Sequence, residues 1–210
     1  MIALGIEGLV KGAFPPVWQP VPKGVPAREA LAYLCAVASL GCGLGLLWRR
    51  TAVWASRILF ALLLLWLLVF RVGGILRAPA AFDAWDGCAE TAVMVAGAWV
   101  LRAWFAVDSD RWRLGLTAGD SGVQIARMLY GLAMIPFGLA HFLYVKQTAT
   151  LVPRWLPAHV ALAYVTGALF LAAGAAVLVD VCARKAALGR TGHTRTRPHR
   201  RPLDVDRPDL

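Results

Sequence analysis

Five stretches of this chain are nearly free of charge, and each is about twenty residues long. They run from Ala30 to Trp48, Val53 to Val72, Asp86 to Trp104, Ile125 to Val145 and Ala158 to Val181. A helix needs roughly 20 mostly apolar residues to cross the roughly 30 Å hydrocarbon core of a bilayer. Lipid cannot satisfy open backbone groups, so such runs are expected to be helices. Strands of a membrane barrel would alternate in polarity, and these runs are apolar on every side. The expected fold class is therefore all-α, a transmembrane helical bundle of five spans. Composition agrees: 59% of the 210 residues are hydrophobic and only 16% are charged. Soluble domains carry about 25% charged residues. Five spans with short loops leave no room for a separate soluble catalytic domain.

The chain then divides into three parts. Residues 1–28 hold a partial helix and a loop, 29–181 the bundle, and 182–210 a basic tail. The formal net charge is +10, which in a soluble protein would suggest a nucleic-acid partner. Here the basic residues flank apolar runs, so the expected partner is the lipid bilayer, with no nucleic acid. Arg49, Arg50, Arg57, Arg102, Arg111, Arg113 and Arg127 fall on one side, with the eight basic residues of the tail. Lys11, Lys23, Arg28, Arg71, Arg77, Lys146 and Arg154 fall on the other. Positive loops stay in the cytoplasm. This predicts a multi-pass protein of the inner (cytoplasmic) membrane with its C-terminus inside. The tail is too polar to bury a core and is expected to be disordered. Trp48, Trp54, Trp85, Trp104 and Trp155 lie near the ends of the runs, where amphipathic rings prefer to sit.

A repeat is visible inside the chain. Residues 21–33 read VPKGVPAREALAY and residues 152–164 read VPRWLPAHVALAY, with eight of 13 positions identical. The offset of 131 residues also lays Gly43 on Gly174, and Met1–Ala13 on the second half of the fourth run. Helical-hairpin repeats are the expected plan. The first residues are too short to span, so they either lie in the interface or continue a truncated sixth span.

Several stretches together resemble one family. They are Arg127-x-Leu-x-Gly-Leu132, Phe137-Gly-Leu-Ala-His-Phe142, Leu151-Val-Pro-Arg-Trp-Leu-Pro157 and Tyr164-Val-Thr-Gly167 with Gly174; Glu90 with Gly97 adds a looser match. This pattern resembles the DoxX-like family of small bacterial integral membrane proteins. The resemblance covers residues 125–181 best and 53–104 faintly. It implies a compact helical bundle of about four spans in the cytoplasmic membrane. It also implies a link, in some members, to redox assemblies with quinone as acceptor. The fifth span and the basic tail depart from that pattern.

Polar residues inside apolar runs are costly and so mark candidate sites. Arg71, Glu90, His141 and His159 all map to one membrane face. Two readings stand side by side: an outward-facing pocket with Arg71 paired to Glu90, or four interfacial residues that each reach water alone. His141, Tyr144 and Trp155 could wall a quinone slot, and His141 with His159 could ligate haem. Neither cofactor is required by the sequence. The four cysteines, Cys35, Cys42, Cys88 and Cys182, form no CxxC pair and no zinc pattern. Gly131 with Gly138, and Gly167 with Gly174, read as close-packing positions. Pro136 falls inside the fourth run, where it removes a backbone hydrogen bond. No Ser-His-Asp set, phosphate-binding loop or HExxH motif appears, which speaks against an autonomous hydrolase or ATPase. The leading expectation is a non-enzymatic accessory or structural subunit with a membrane or redox partner protein. The alternatives are a quinone-reactive redox subunit and a small-solute transporter.

Overall fold

The computed structural model describes residues 1–19, 21–22, 24–105 and 119–192. It is all-helical, with no strand among the described residues. The helices are α1 (Ile2–Lys11), α2 (Arg28–Gly45), α3 (Arg49–Trp66), α4 (Gly73–Arg77), α5 (Phe82–Trp104), α6 (Gly119–Leu143), α7 (Val145–Thr150) and α8 (His159–Gly192). A short 3-10 turn, Pro16–Trp18, follows α1. A π-helical segment, Leu67–Val72, joins α3 to α4, so Arg49–Arg77 forms one 29-residue helix.

Each of the five apolar runs falls within a helix or its immediate flank. Three helices are long and apolar enough to cross a membrane: Arg49–Arg77, Gly119–Leu143 and His159–Ala183. The other two differ for visible reasons. Helix α2 has 18 residues and opens with Arg28 and Glu29. Helix α5 carries Asp83, Asp86 and Glu90 near its start and Arg102 in its last turn. Asp83 in the first turn and Arg102 in the last suit the helix dipole.

The helix boundaries extend past the apolar runs. The second run was expected to begin at Val53, yet α3 takes in Arg49 and Arg50. The third was expected to begin at Asp86, yet α5 starts at Phe82. At the far end α8 continues to Gly192, eleven residues into the segment expected to be a disordered tail. Arg49 and Arg50 are exposed, so these charged side chains reach water while their backbone stays helical. Residues 193–210 and 106–118, with Arg195, Arg197, Arg200, Arg201 and Arg207 of the tail and with Arg111 and Arg113, lie outside the described residues.

Consecutive long helices pack on one another in chain order: α1 on α2, α2 on α3, α3 on α5, α5 on α6, and α6 on α8. The main core sits at the start of this series. Trp18, Trp66 and Phe14 are buried there. The Trp18 and Trp66 rings meet edge to face at 5.0 Å, and Phe14 lies 5.9 Å from Trp66. Aromatic pairs favour such tilted geometry. Trp18 Nε1 donates to Ser39 Oγ at 3.1 Å, which satisfies the buried indole. The five tryptophans expected near the ends of the runs are all exposed, from 47% for Trp85 to 79% for Trp155.

The α6–α8 contact is built differently. A Cβ placed on Gly138 would lie 2.9 Å from the Gly167 carbonyl oxygen and 2.5 Å from Leu171 Cγ. One placed on Gly174 would lie 2.9 Å from the Gly131 carbonyl oxygen. Only glycine allows the two backbones to approach this closely. Arg127 on α6 and Asp180 on α8 form an ion pair at 2.7 Å along the same contact.

The two similar loops share their geometry. Ala27, just before α2, has φ 52°, and Ala158, just before α8, has φ 56°. These are the only two non-glycine residues with positive φ among those described, and they are 131 positions apart. The Val25 amide donates to the Pro22 carbonyl at 3.3 Å, and Leu156 donates to Pro153 at 3.0 Å. The first helical bonds follow suit, Leu31 to Ala27 at 2.9 Å and Leu162 to Ala158 at 3.0 Å.

Candidate functional site

The polar groups gather where α3 ends against the start of α5. Arg71 sits in the π-helical segment and is only 7% exposed. Its Nε donates to Thr91 Oγ1 at 2.9 Å, and a terminal guanidinium nitrogen donates to Glu90 Oε2 at 3.4 Å. Gly87 makes room for this side chain, since a Cβ there would stand 2.6 Å from the guanidinium. Asp86 lies in the same group, acted on by the charges of Glu90, Asp83, His141 and Arg71. One of its carboxylate oxygens is buried and has no hydrogen-bond partner. A wider helical turn changes which way side chains point, and π segments often occur at functional positions.

A second tie follows at once. Tyr144, in the break after α6, donates its hydroxyl to Asp83 Oδ1 at 2.5 Å. Its ring rests 5.8 Å from Phe82. The hydrogen bond to Asp83 holds the Tyr144 phenol above its ordinary pKa, with desolvation and the carboxylate charges adding to this.

His141 faces another way. Its Nδ1 lies 2.8 Å from the Phe137 carbonyl oxygen one turn back on α6. Its ring meets Phe170 of α8 edge-on at 5.2 Å. It lines an open cleft of about 330 Å³ with Thr148, Thr166, Leu151, Val152 and Leu162 among others.

The six residues singled out in the sequence are thus divided. Arg71 and Glu90 are in direct contact. Tyr144 joins their neighbourhood through Asp83, and His141 opens onto the cleft beside it. Trp155 is 79% exposed. His159 places Nε2 3.2 Å from the Pro153 carbonyl oxygen. Asp83, Asp86 and Thr91 were not singled out, although all three face this polar group. Their signal was the spacing Asp83, Asp86, Glu90, which is i, i+3, i+7 and marks one helix face.

The cofactors considered from sequence can be set against these contacts. Among the described residues no group of three or more His, Cys, Asp or Glu could hold a metal ion. A quinone offers only acceptors and needs donors on the wall. The Tyr144 hydroxyl is committed to Asp83, and those of Thr148 and Thr166 to backbone carbonyls. The cysteines are free thiols: Cys35 and Cys42 buried, Cys88 half-buried, Cys182 exposed.

A larger cavity was not foreseen. About 430 Å³ lies between α2 and α3, walled by Trp18, Leu31, Cys35, Leu62, Trp66 and Phe70 among others. Its lining is almost wholly apolar.

No family model, curated protein or solved structure matches this chain.

Proposed function

We propose that this chain is a five-span integral protein of the bacterial inner membrane that serves as a non-catalytic subunit of a membrane assembly. The C-terminus would be cytoplasmic and the plan a repeat of helical hairpins of DoxX-like type. One observation carries the reading. Three pairs of ionisable side chains tie one helix to the next: Arg71 to Glu90, Tyr144 to Asp83, and Arg127 to Asp180. Groups that cross-link helices fix the shape of a surface. That surface is apolar, with Trp54, Leu65, Leu68, Val165 and Leu169 all more than half exposed, which suits lipid and neighbouring spans. The matching loops at Ala27 and Ala158 support the repeat, and the basic excess of one loop set supports the orientation.

Two measurements test this. Reporter fusions should show an exported reporter active when placed at Pro79 and inactive at the C-terminus. The reverse pattern would overturn the orientation. A tagged copy extracted in mild detergent should migrate in an assembly that also forms from the Arg71→Lys variant. It should be colourless and should drive no solute flux in vesicles. A bound chromophore would transfer the reading to the redox alternative, and flux lost in Glu90→Gln would transfer it to the transporter.

A further inference from the structure

We infer that the cleft beside His141 is a binding site for a small apolar molecule that carries a hydroxyl group. The inference rests on which hydrogen-bonding capacity the wall has left. The Thr166 hydroxyl donates to the Leu162 carbonyl at 2.8 Å. The Thr148 hydroxyl has its hydrogen shared between the Tyr144 and Val145 carbonyls, each at 3.2 Å. A hydroxyl has one donor and two acceptor lone pairs. Both threonines therefore keep only acceptors for a ligand.

His141 follows the same rule. A carbonyl cannot donate, so the hydrogen of the 2.8 Å contact with Phe137 must be on Nδ1. In the neutral ring Nε2 is then an acceptor. Three residues on the cleft wall thus offer acceptors and no donor. The rest is apolar: Leu151, Val152, Pro153, Leu156 and Leu162.

A complementary ligand must bring the donor. Ethers, ketones and quinones, which only accept, leave these groups unpaired. Burying an unpaired polar group is unfavourable. An ammonium ion would bring donors but would lose its hydration against the leucine wall. A hydroxyl on an apolar body meets both conditions. The volume of about 330 Å³ suits a single ring with a short substituent, at the small end of ligand pockets.

The test uses the full chain in lipid nanodiscs, in mildly alkaline buffer. Isotope-labelled histidine is followed by NMR, with His141→Gln assigning the His141 signal. The probes are para-ethylphenol and its methyl ether, which share a body and differ in the donor. The phenol should shift His141 Nε2 saturably and leave His159 still. The methyl ether should bind at least tenfold more weakly. Thr166→Val keeps the shape, removes one acceptor, and should weaken the phenol about threefold to tenfold, the range of one hydrogen bond. Equal binding of the two probes, no saturable shift, or an unchanged affinity in Thr166→Val would each overturn the assignment. Should Thr166→Val fail to fold, the ratio between the probes on the unaltered protein decides alone.

Discussion

The aromatic cluster around Trp66 and the α6–α8 contact are built by opposite means. In the first, large aromatic rings converge on one indole: Phe14, Trp18 and Phe70 each pack at a tilt against Trp66. In the second, side chains are removed. Gly131, Gly138, Gly167 and Gly174 leave the backbones to touch. Yet α2 and α8 are entered through the same loop, with the same left-handed alanine. The difference teaches that a shared loop sets how a helix is launched, while the facing residues set how near its neighbour can come. Large rings fit where α1 is short and α2 leaves a gap beside α3. Glycine seams α6 to α8, and it also seams the short α1 to α2, where a Cβ on Gly5 would lie 2.6 Å from the Leu40 nitrogen and one on Gly43 2.9 Å from the Ile2 nitrogen.

Four tests would break or sharpen that contrast, in falling order of effect. Trp66→Ala opens the aromatic cluster at a residue only 6% exposed. Truncating a buried tryptophan should cost about 3–5 kcal/mol, seen as a large drop in thermal unfolding temperature in detergent. A change near zero would show that the rings fill space without holding it. Gly138→Ala should come next, at about 1–3 kcal/mol, as expected for overpacking. Gly97→Ala is its control, since a Cβ there meets nothing within 4 Å; it should leave the unfolding temperature level or slightly higher. If the two glycines behave alike, the seam is not tight.

The third test asks whether the loops are energetically as well as geometrically alike. A left-handed alanine is strained by roughly 1–2 kcal/mol. Glycine relieves this but adds freedom to the unfolded chain. Ala27→Gly and Ala158→Gly should each raise stability by up to about 1 kcal/mol, and by the same amount. Unequal gains would separate the two loops. Asp180→Asn should matter least. The ion pair with Arg127 is more than a third exposed on both sides, and such pairs are worth about 0–1 kcal/mol. Adding salt should shrink even that difference.

Much of the fold could be read from the chain because apolar runs leave few choices. A helix appears in each of them, and the glycines of α6 and α8 lie where their spacing put them. The ends were less legible. Arg49, Asp83 and the residues after Val181 carry charge, and charge marks the limit of an apolar run, not the limit of a helix. The candidate site divides along the same line. Arg71 and Glu90 stand out because charges are rare in those runs. Trp155 and His159 were grouped with them by depth alone. Depth fixes the height of a residue on its helix but not the direction in which it points. Asp83 and Tyr144 meet across 61 positions of sequence, and only the packing of α5 on α6 brings them together.

The π-helical segment before Gly73 has one more consequence. A π turn takes one residue more than an α turn, so the stretch Leu67–Val72 behaves as an insertion of a single codon. Deleting one residue there would keep the helix continuous but rotate everything after it by about 100°. Arg77 and the approach to α5 would swing to a different side. The segment thus works as a phase shifter: it lets one long rod show its neighbours two different faces, one before Leu67 and one after Val72.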